Sequence, residues 1–479
     1  VGLHLGVDVG TQGTKALVYD SETGAVVGRG GVSYGLIEGL AAGACEQDPA
    51  TWVEAVRAAV HEALAGQDAG AVKGIGVSGQ QHGFVALDAG HEVIRPAKLW
   101  CDTETAPEAE ELSRETGVQT PAGFTASKIL WLKRHEPESF SRLAHVLLPH
   151  DYINFVLTGE LAMECGDASG TGFFDPVERA FSEPRMNAID EGLAGCLPAL
   201  IGPDEAVGGL REEWATEWGL PQGVPVSPGS GDNMMSAIGS GAVRPGVLVM
   251  SLGTSGTLFA QAEHAVVDPA GEIAPFCDAT GHWMPLLCTL NCTTATEEVR
   301  AGTGLEHAAL TSLAEEVAPG CDGVSFLPFL AGERTPDWPH ASGALLGLRE
   351  GSLRPGLLYR AAMEGATFAL AAGVERLRKL GVVADELMLV GGGSKNLLWR
   401  QVVADVTGLR VRLPAEPESA ALGGALQSLA LAQDAPLIEA LREVRVPLES
   451  LAIEPSEEAR GPYEEALTRH LERAAGLFG

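Results

Sequence analysis

Two short stretches place hydroxyls, backbone amides and a single carboxylate where phosphate chemistry could use them. LGVDVGTQGTKALVYD (5–20) carries Asp8 two residues before Gly10-Thr11-Gln12-Gly13-Thr14. VLVMSLGTSGTLFAQ (247–261) carries Ser251 two residues before Gly253-Thr254-Ser255-Gly256-Thr257. Each reads as apolar strand, glycine turn and apolar strand, the alternation of a β-hairpin. Glycines without Cβ let N–H groups converge on an anion, and the threonines add hydroxyl donors. A structural hairpin needs no repeated Gly-Thr pairs. Two copies half a chain apart point to two lobes of similar design, since a solenoid repeats at a far shorter period. Neither copy is a GxxxxGKS/T loop or a GxGxxG turn opening a helix. The asymmetry fits one shared cleft: Mg²⁺ takes one or two carboxylates besides phosphate and water oxygens, so the acid is needed once, and Asp8 supplies it.

Other segments must position the rest. Trp52 to Ala65 has the spacing of an amphipathic helix and precedes the strand VKGIGVSG (72–79), which runs into Gln80, Gln81, His82 and Gly83. Carboxyl ends of strands are where open α/β sheets present ligand groups. A lone histidine is more often a satisfied structural residue, but two amides between glycines favour a polar pocket wall. VPVSPGSGDNMMSAIGSGAV (224–243) reads as strand, glycine turn and a helix opening near Asp232 or Asn233. Asp232 reads equally as the helix N-cap and as a carboxylate facing a cleft with Asn233 beside it. LMLVGGGSKNLLWRQVVADVTG (387–408) runs from a strand into Gly391, Gly392 and Gly393, then a helix from about Asn396 to a stop near Gly408. That opening suits the ribose and phosphates of a nucleotide. The small residues of ESAALGGALQSLALA (418–432) mark close helix packing.

A chain of 479 residues is too long for one ordinary core, so two domains are expected. We place them at 1–243, with the sugar side and first hairpin, and 244–479, with the nucleotide side. A formal charge of −32 excludes the basic footprint that nucleic acid or an anionic membrane requires. The eight cysteines form no CxxC pair and no zinc-like spacing with histidine, so they read as incidental thiols in a reducing compartment. With no signal peptide and no long uncharged apolar run, the expected place of action is the cytoplasm.

Taken together these landmarks resemble the FGGY carbohydrate kinases over essentially the whole chain. GFTASKILWLKRH from Gly123, with Lys128 and Trp131, is similar to that family's first signature, and VGGGSKNLLWRQVVADVTG to its nucleotide motif. GQQHG, RPAKLWCDTET, PGSGDN and FLPFLAGERTP look most like its xylulose-phosphorylating members. The departures, Gln81 where many relatives have Met and Cys101 where many have Asn, lie toward the sugar wall. The resemblance implies an α/β fold of two actin-like (ribonuclease H-like) ATPase domains facing across a cleft. It implies phosphorylation of D-xylulose at its 5-hydroxyl by MgATP, with Asp232 as catalytic base and Asp8 at the metal and phosphates. Gln81, His82, Asp232 and Asn233 match sugar-binding positions. Thr254, Gly392, Gly393 and Asn396 match nucleotide positions, with Thr11 and Lys15 where the first hairpin meets the phosphates. A homodimer is implied as well. Two rivals stand beside this reading: a kinase of the same family for ribulose, glycerol or gluconate, and an actin- or chaperone-like ATPase switch. The second would need a peptide-binding domain, and ~80 residues after Asn396 are too few for one.

Overall fold

The apolar alternation at the start of the chain becomes a meander. β1 (Leu3–Val9), β2 (Gly13–Asp20) and β3 (Ala25–Ser33) pair antiparallel in succession. α1 (Pro49–Leu64) crosses over to β4 (Val72–Gly79), which lies parallel to β1 on its other side, as parallel neighbours require a long connection. Asp48 fixes the start of α1 by accepting the Ala50 N–H, with Pro49 in the first turn. Trp52, Val56, Ala59, Val60 and Ala63 then face the sheet. α2 (Thr125–His135) and α3 (Pro149–Thr158) follow. β5 (Gly208–Gly209) and β6 (Pro225–Val226) complete the far edge, and β7 (Ser230–Gly231) pairs with the end of β4 before α4 (Asp232–Gly239). The order is β5-β6-β4-β1-β2-β3. The structure is a computed structural model and describes residues 2–479 apart from Asp434 and Arg445.

The second sheet repeats this plan. β8 (Gly246–Leu252), β9 (Gly256–Ala260), β10 (Ala274–Cys277) and β11 (Trp283–Thr289) are antiparallel. β12 (Ala384–Val390) and β13 (Arg410–Arg412) run parallel beside β8, giving the order β10-β11-β9-β8-β12-β13. In both lobes a hairpin strand lies between its antiparallel partner and a parallel neighbour. α5 (Leu397–Thr407) follows β12, begins at the Asn396 cap and ends at Gly408, whose φ is 67°.

α6 (Ser419–Leu431) lies in the second half of the chain but is seated on the first sheet and on α4. Glycines make the seat possible. A Cβ on Gly6 would stand 1.8 Å from the Ala421 carbonyl oxygen, one on Gly76 2.1 Å from that of Gly424, and one on Gly239 1.8 Å from that of Ser419. Gly423 meets the Met235 carbonyl in the same way, at 2.0 Å. Leu17, Tyr19, Met234, Met235, Ile238, Val249, Phe259, Leu422 and Leu426 form an apolar core between the lobes. Gln427, buried on α6, accepts the Ser227 hydroxyl and the Gly229 N–H, both at 2.8 Å. That bond holds the turn leading to Asp232.

Behind the same turn sits a buried ionic cluster. His150 Nδ1 lies 2.8 Å from Asp167 Oδ2 and its Nε2 lies 3.1 Å from Asp151 Oδ1. Glu164 accepts the Ser230 hydroxyl and the Gly166 and Asp167 amides. Burial works against the His150 cation, but Asp151, Asp167 and Glu164 outweigh it and raise its pKa to about 9. Burial raises Asp151 to about 7 and Glu164 to about 6. All three hold protons in the fold that the unfolded chain has released, at 6.5 for His and near 4 for the acids. Stability therefore falls as pH rises wherever the folded state binds more protons.

Two outcomes are expected. Gly76→Ala should destabilise the protein by about 3 kcal/mol or more, the cost of overpacking against backbone, whereas Gly35→Ala, with open space around it, should be near neutral; urea titrations compare them. The thermal midpoint should fall between pH 6 and pH 9, and His150→Gln should flatten the upper part of that decline.

Candidate active site

Asp8 and Lys15 face each other across the first hairpin, and the Ser78 hydroxyl on β4 donates to Asp8 Oδ1 at 2.7 Å. Residues opposite each other in an antiparallel pair share a face. In the second hairpin the pairing is one residue tighter: Leu252 pairs with Gly256, where Val9 pairs with Thr14 in the first. Thr257 consequently stands opposite Ser251. The first lobe offers a carboxylate with an ammonium, the second offers two hydroxyls. Burial pushes Asp8 up to about 6; the Ser78 bond and Lys15 pull it back, and the Glu418 carboxylate adds to the rise. A half-buried acid with one hydroxyl partner, flanked by further acids, suits a divalent cation.

Asp232 is the first residue of α4, and the cap position belongs to Gly231, so the cap reading of Asp232 gives way to the cleft reading. Its carboxyl is raised to about 8, first by burial, then by the charges of Asp8 and Asp167. It lines a cavity of about 280 Å³ together with Gln81, His82, Trp100 and Phe124 from the first lobe and Ser251, Gly253, Ser255, Thr257 and Arg334 from the second. First-lobe residues and the second hairpin thus address one space, and Asp8 of the first hairpin acts on Asp232 there through its charge. Asn233 ties the first lobe to the second hairpin: its amide nitrogen donates to Gln81 Oε1 at 2.8 Å and to Asp232 Oδ1 at 3.1 Å, and its oxygen accepts from Thr257 at 3.3 Å. With these partners Asn233 orients its neighbours.

Gln81 Nε2 and His82 Nδ1 are buried without partners. Both residues line the cavity, where buried polar atoms are nearly always paired, while His82 Nδ1 itself is packed against Gly170, whose missing Cβ would stand 1.8 Å from it. His82 holds a φ of 64° and packs on Phe124 and Phe276 at 4.8 and 5.8 Å. Burial, with the charges of Lys128 and Arg334, keeps its imidazole well below its usual pKa and therefore neutral. Lys128 is itself buried; it donates to the Phe124 carbonyl at 2.9 Å and so fixes the loop that carries Phe124.

Two expected contact residues have their side chains engaged elsewhere. Thr11 Oγ1 donates to Gln80 and accepts the Trp100 indole N–H at 2.9 Å, and its carbonyl accepts the Gln47 amide at 2.8 Å, which leaves its backbone N–H to meet a phosphate. Asn396 accepts the Trp399 N–H and donates to Thr311, leaving it the cap of α5. Gly391, Gly392 and Gly393 follow β12 directly beside Ser251 and Leu252. Gly391 has a φ of 86° and its missing Cβ would stand 2.8 Å from Leu252 backbone, while Gly392 opens onto space. Thr254 is exposed at the tip of the second hairpin. Arg334, the cationic side chain among the cavity residues, Glu418 and Gln427 were not singled out by residue type. Arg334 lay within FLPFLAGERTP, but nothing local distinguishes a guanidinium that enters a cavity.

The comparisons with known proteins identify the family. The model of the FGGY family of carbohydrate kinases, N-terminal domain, matches residues 3–239, and that of the C-terminal domain matches residues 248–432. A xylulose kinase of Haemophilus influenzae is 38% identical over 99% of this chain and 100% of its own length. One from Streptomyces coelicolor is 42% identical over 90% of this chain and 88% of its own. The crystal structure of a kinase from Brucella ovis, described as a xyloylose kinase, superposes with a TM-score of 0.92 at 35% identity, covering 99% of each chain. The two domain models together span most of the chain, and relatives at 38% and 42% identity match it over nearly its whole length: this chain belongs to the FGGY family of carbohydrate kinases.

Proposed function

We propose that this chain transfers the γ-phosphoryl group of ATP to the 5-hydroxyl of D-xylulose, giving D-xylulose 5-phosphate, with Asp232 as general base. The observation that carries the reading is the position of Asp232, in one cavity with Gln81 and His82 and with the Gly-Thr turn of the second hairpin. The xylulose kinases among its relatives support the choice of sugar. The first lobe, 1–243, is assigned the sugar and the second, 244–479, the nucleotide, although α6 of the second crosses onto the first. Eight free cysteines support a cytoplasmic place of action.

The residues divide the work. Gln81 and His82 meet sugar oxygens and set its depth, and the aromatic wall of Phe124 and Phe276 excludes water. The backbone of Thr11, Thr254 and the Gly392-Gly393 turn, with Lys15, receives the polyphosphate. Asp8 is the residue that would hold Mg²⁺, which supplies charge neutralisation to the phosphoryl oxygens when bound. Asp232 takes the proton of the acceptor hydroxyl as the bond to phosphorus forms. Phosphoryl transfer passes through a loose transition state, so alignment dominates and proton removal comes late. An acid held at about 8 accepts that proton more strongly than an ordinary aspartate.

Asp232→Asn should keep wild-type binding of sugar and ATP by calorimetry and lose ~10²–10⁴-fold in turnover; near wild-type turnover would remove Asp232 from the role. Because the base must be ionised, kcat/KM for sugar should fall tenfold per pH unit on an acid limb lying above the ordinary carboxylate range, and the limb should be missing from the residual rate of Asp232→Asn. A coupled ADP-release panel should show the highest kcat/KM for D-xylulose over D-ribulose, gluconate and glycerol. ADP release driven by unfolded peptides and indifferent to all four would overturn the kinase reading.

A further inference from the structure

Cys45 and Cys101 meet in the wall behind the cavity. Their Sγ atoms are 2.8 Å apart, with Cys101 donating. Two chain segments hold them there. Glu46 and Gln47 pair antiparallel with Lys98 and Ala97. The Leu99 N–H donates to the Cys45 carbonyl at 2.9 Å, the Thr103 N–H to that of Gly43 at 2.8 Å, and the Cys45 N–H to the Asp102 carboxylate at 2.9 Å. Glu46, Asp102 and Glu104 converge as they would on a metal ion, but the fully buried Lys98 ammonium fills that place, at 3.1, 3.1 and 2.6 Å. Both cysteine loops are thus anchored to one point.

A disulfide holds its sulfurs at about 2.05 Å, so closing the bond here needs a movement of roughly 1 Å or less. Both cysteines are half-exposed, whereas Cys277, Cys292 and Cys321 are buried. Burial, with the bond it donates to Cys45, pushes the Cys101 thiol up to about 12. Cys101 stays a protonated donor, which leaves Cys45 as the sulfur that an oxidant meets.

We propose that Cys45 and Cys101 form a modification site, a reversible dithiol–disulfide pair that fastens the exposed strap 35–43 to the Trp100 wall of the cavity. The oxidant is a hydroperoxide. The Cys45 sulfur attacks one peroxide oxygen and the O–O bond breaks, giving a sulfenic acid at Cys45 and an alcohol, or water from hydrogen peroxide. The Cys101 sulfur then attacks the Cys45 sulfur; the S–S bond forms, the S–O bond breaks, and water leaves with the Cys101 proton. Two electrons pass from the two sulfurs to the peroxide, and small thiols reverse the step by exchange. Trp100 precedes Cys101 directly, lines the cavity and donates to Thr11. Drawing the sulfurs together therefore displaces the sugar wall and the first hairpin, an effect that rests on the kinase reading above.

The test treats the full chain with hydrogen peroxide and maps cysteines by peptide mass spectrometry. A Cys45–Cys101 cross-linked peptide should form, disappear with dithiothreitol, and be absent from both Cys45→Ser and Cys101→Ser. The thermal midpoint of oxidised wild type should rise above that of the reduced protein, with no such rise in Cys45→Ser. The sugar KM of the oxidised enzyme should rise several-fold with a smaller change in kcat, and that of reduced Cys45→Ser should match wild type. Intact thiols at 45 and 101, or cross-links confined to other cysteines, would overturn the site; a cross-link that leaves KM unchanged would overturn its link to the cavity. Cross-linking needs no turnover, so a protein that cross-links but ignores D-xylulose ends the D-xylulose reading and upholds the site.

Discussion

The cleft concentrates negative charge that the protein alone does not neutralise. Asp8, Asp232 and Glu418 share it, Asp167 stands behind, and Lys15 is the ammonium set against Asp8. Like charges in a partly dry site raise each other's pKa, and Asp8 and Asp232 show this at about 6 and 8. The fold keeps these acids together at a cost in stability. A ligand that brings a divalent cation relieves the repulsion and gains affinity by doing so. In the proposed mechanism the same charge crowding makes Asp232 basic enough to take a hydroxyl proton, so the proposed cation site and the proposed base are one electrostatic device. In a chain with 64 acidic and 32 basic residues, few lysines and arginines are spared for a triphosphate. Backbone amides of the two Gly-Thr turns are the obvious substitute.

That device needs the lobes held in register, and α6 does it. Its backbone lies against that of β1, β4 and α4, with glycines removing every Cβ at the points of closest approach. Contacts of backbone on backbone deform little, so the first sheet, α4 and α6 move as one body. Gln427 extends that body to the turn before Asp232. The second sheet meets that body through the apolar core that contains Val249, Phe259 and Met388.

Much of the site was legible in the sequence because its chemistry is written in backbone requirements. Gly-Thr turns, three consecutive glycines after a strand and a Gly-Asp step into a helix are local patterns, and each fell where expected. The α6 segment also read correctly as packing, since small residues in a helix have few other uses. Partners were not legible. Thr11 and Asn396 have the right side chains at the right positions, yet Trp100 and Gln80 occupy one and Trp399 and Thr311 the other. Arg334, Glu418 and Gln427 reach the site from distant segments, and nothing in their neighbours announces it. The cysteines read as incidental because pairing across two loops leaves no spacing to see; only the ladder between 46–47 and 97–98 brings Cys45 to Cys101.

The two hairpins show how duplicated sequence becomes divided labour. Their turns match residue for residue, but the second closes one residue tighter. A shift of one position in a strand sends the opposite set of side chains to a given face. Lys15 therefore faces the cleft beside Asp8, whereas Leu258, its counterpart by sequence, is fully buried and Thr257 takes the cleft side opposite Ser251. A second Asp–Lys pair would have crowded the cavity with charge and left no hydroxyl for Asn233 to accept from. The register thus explains what composition does not: a nearly repeated motif yields one charged cradle and one neutral one, and the neutral cradle is the one that borders the cavity and Asp232.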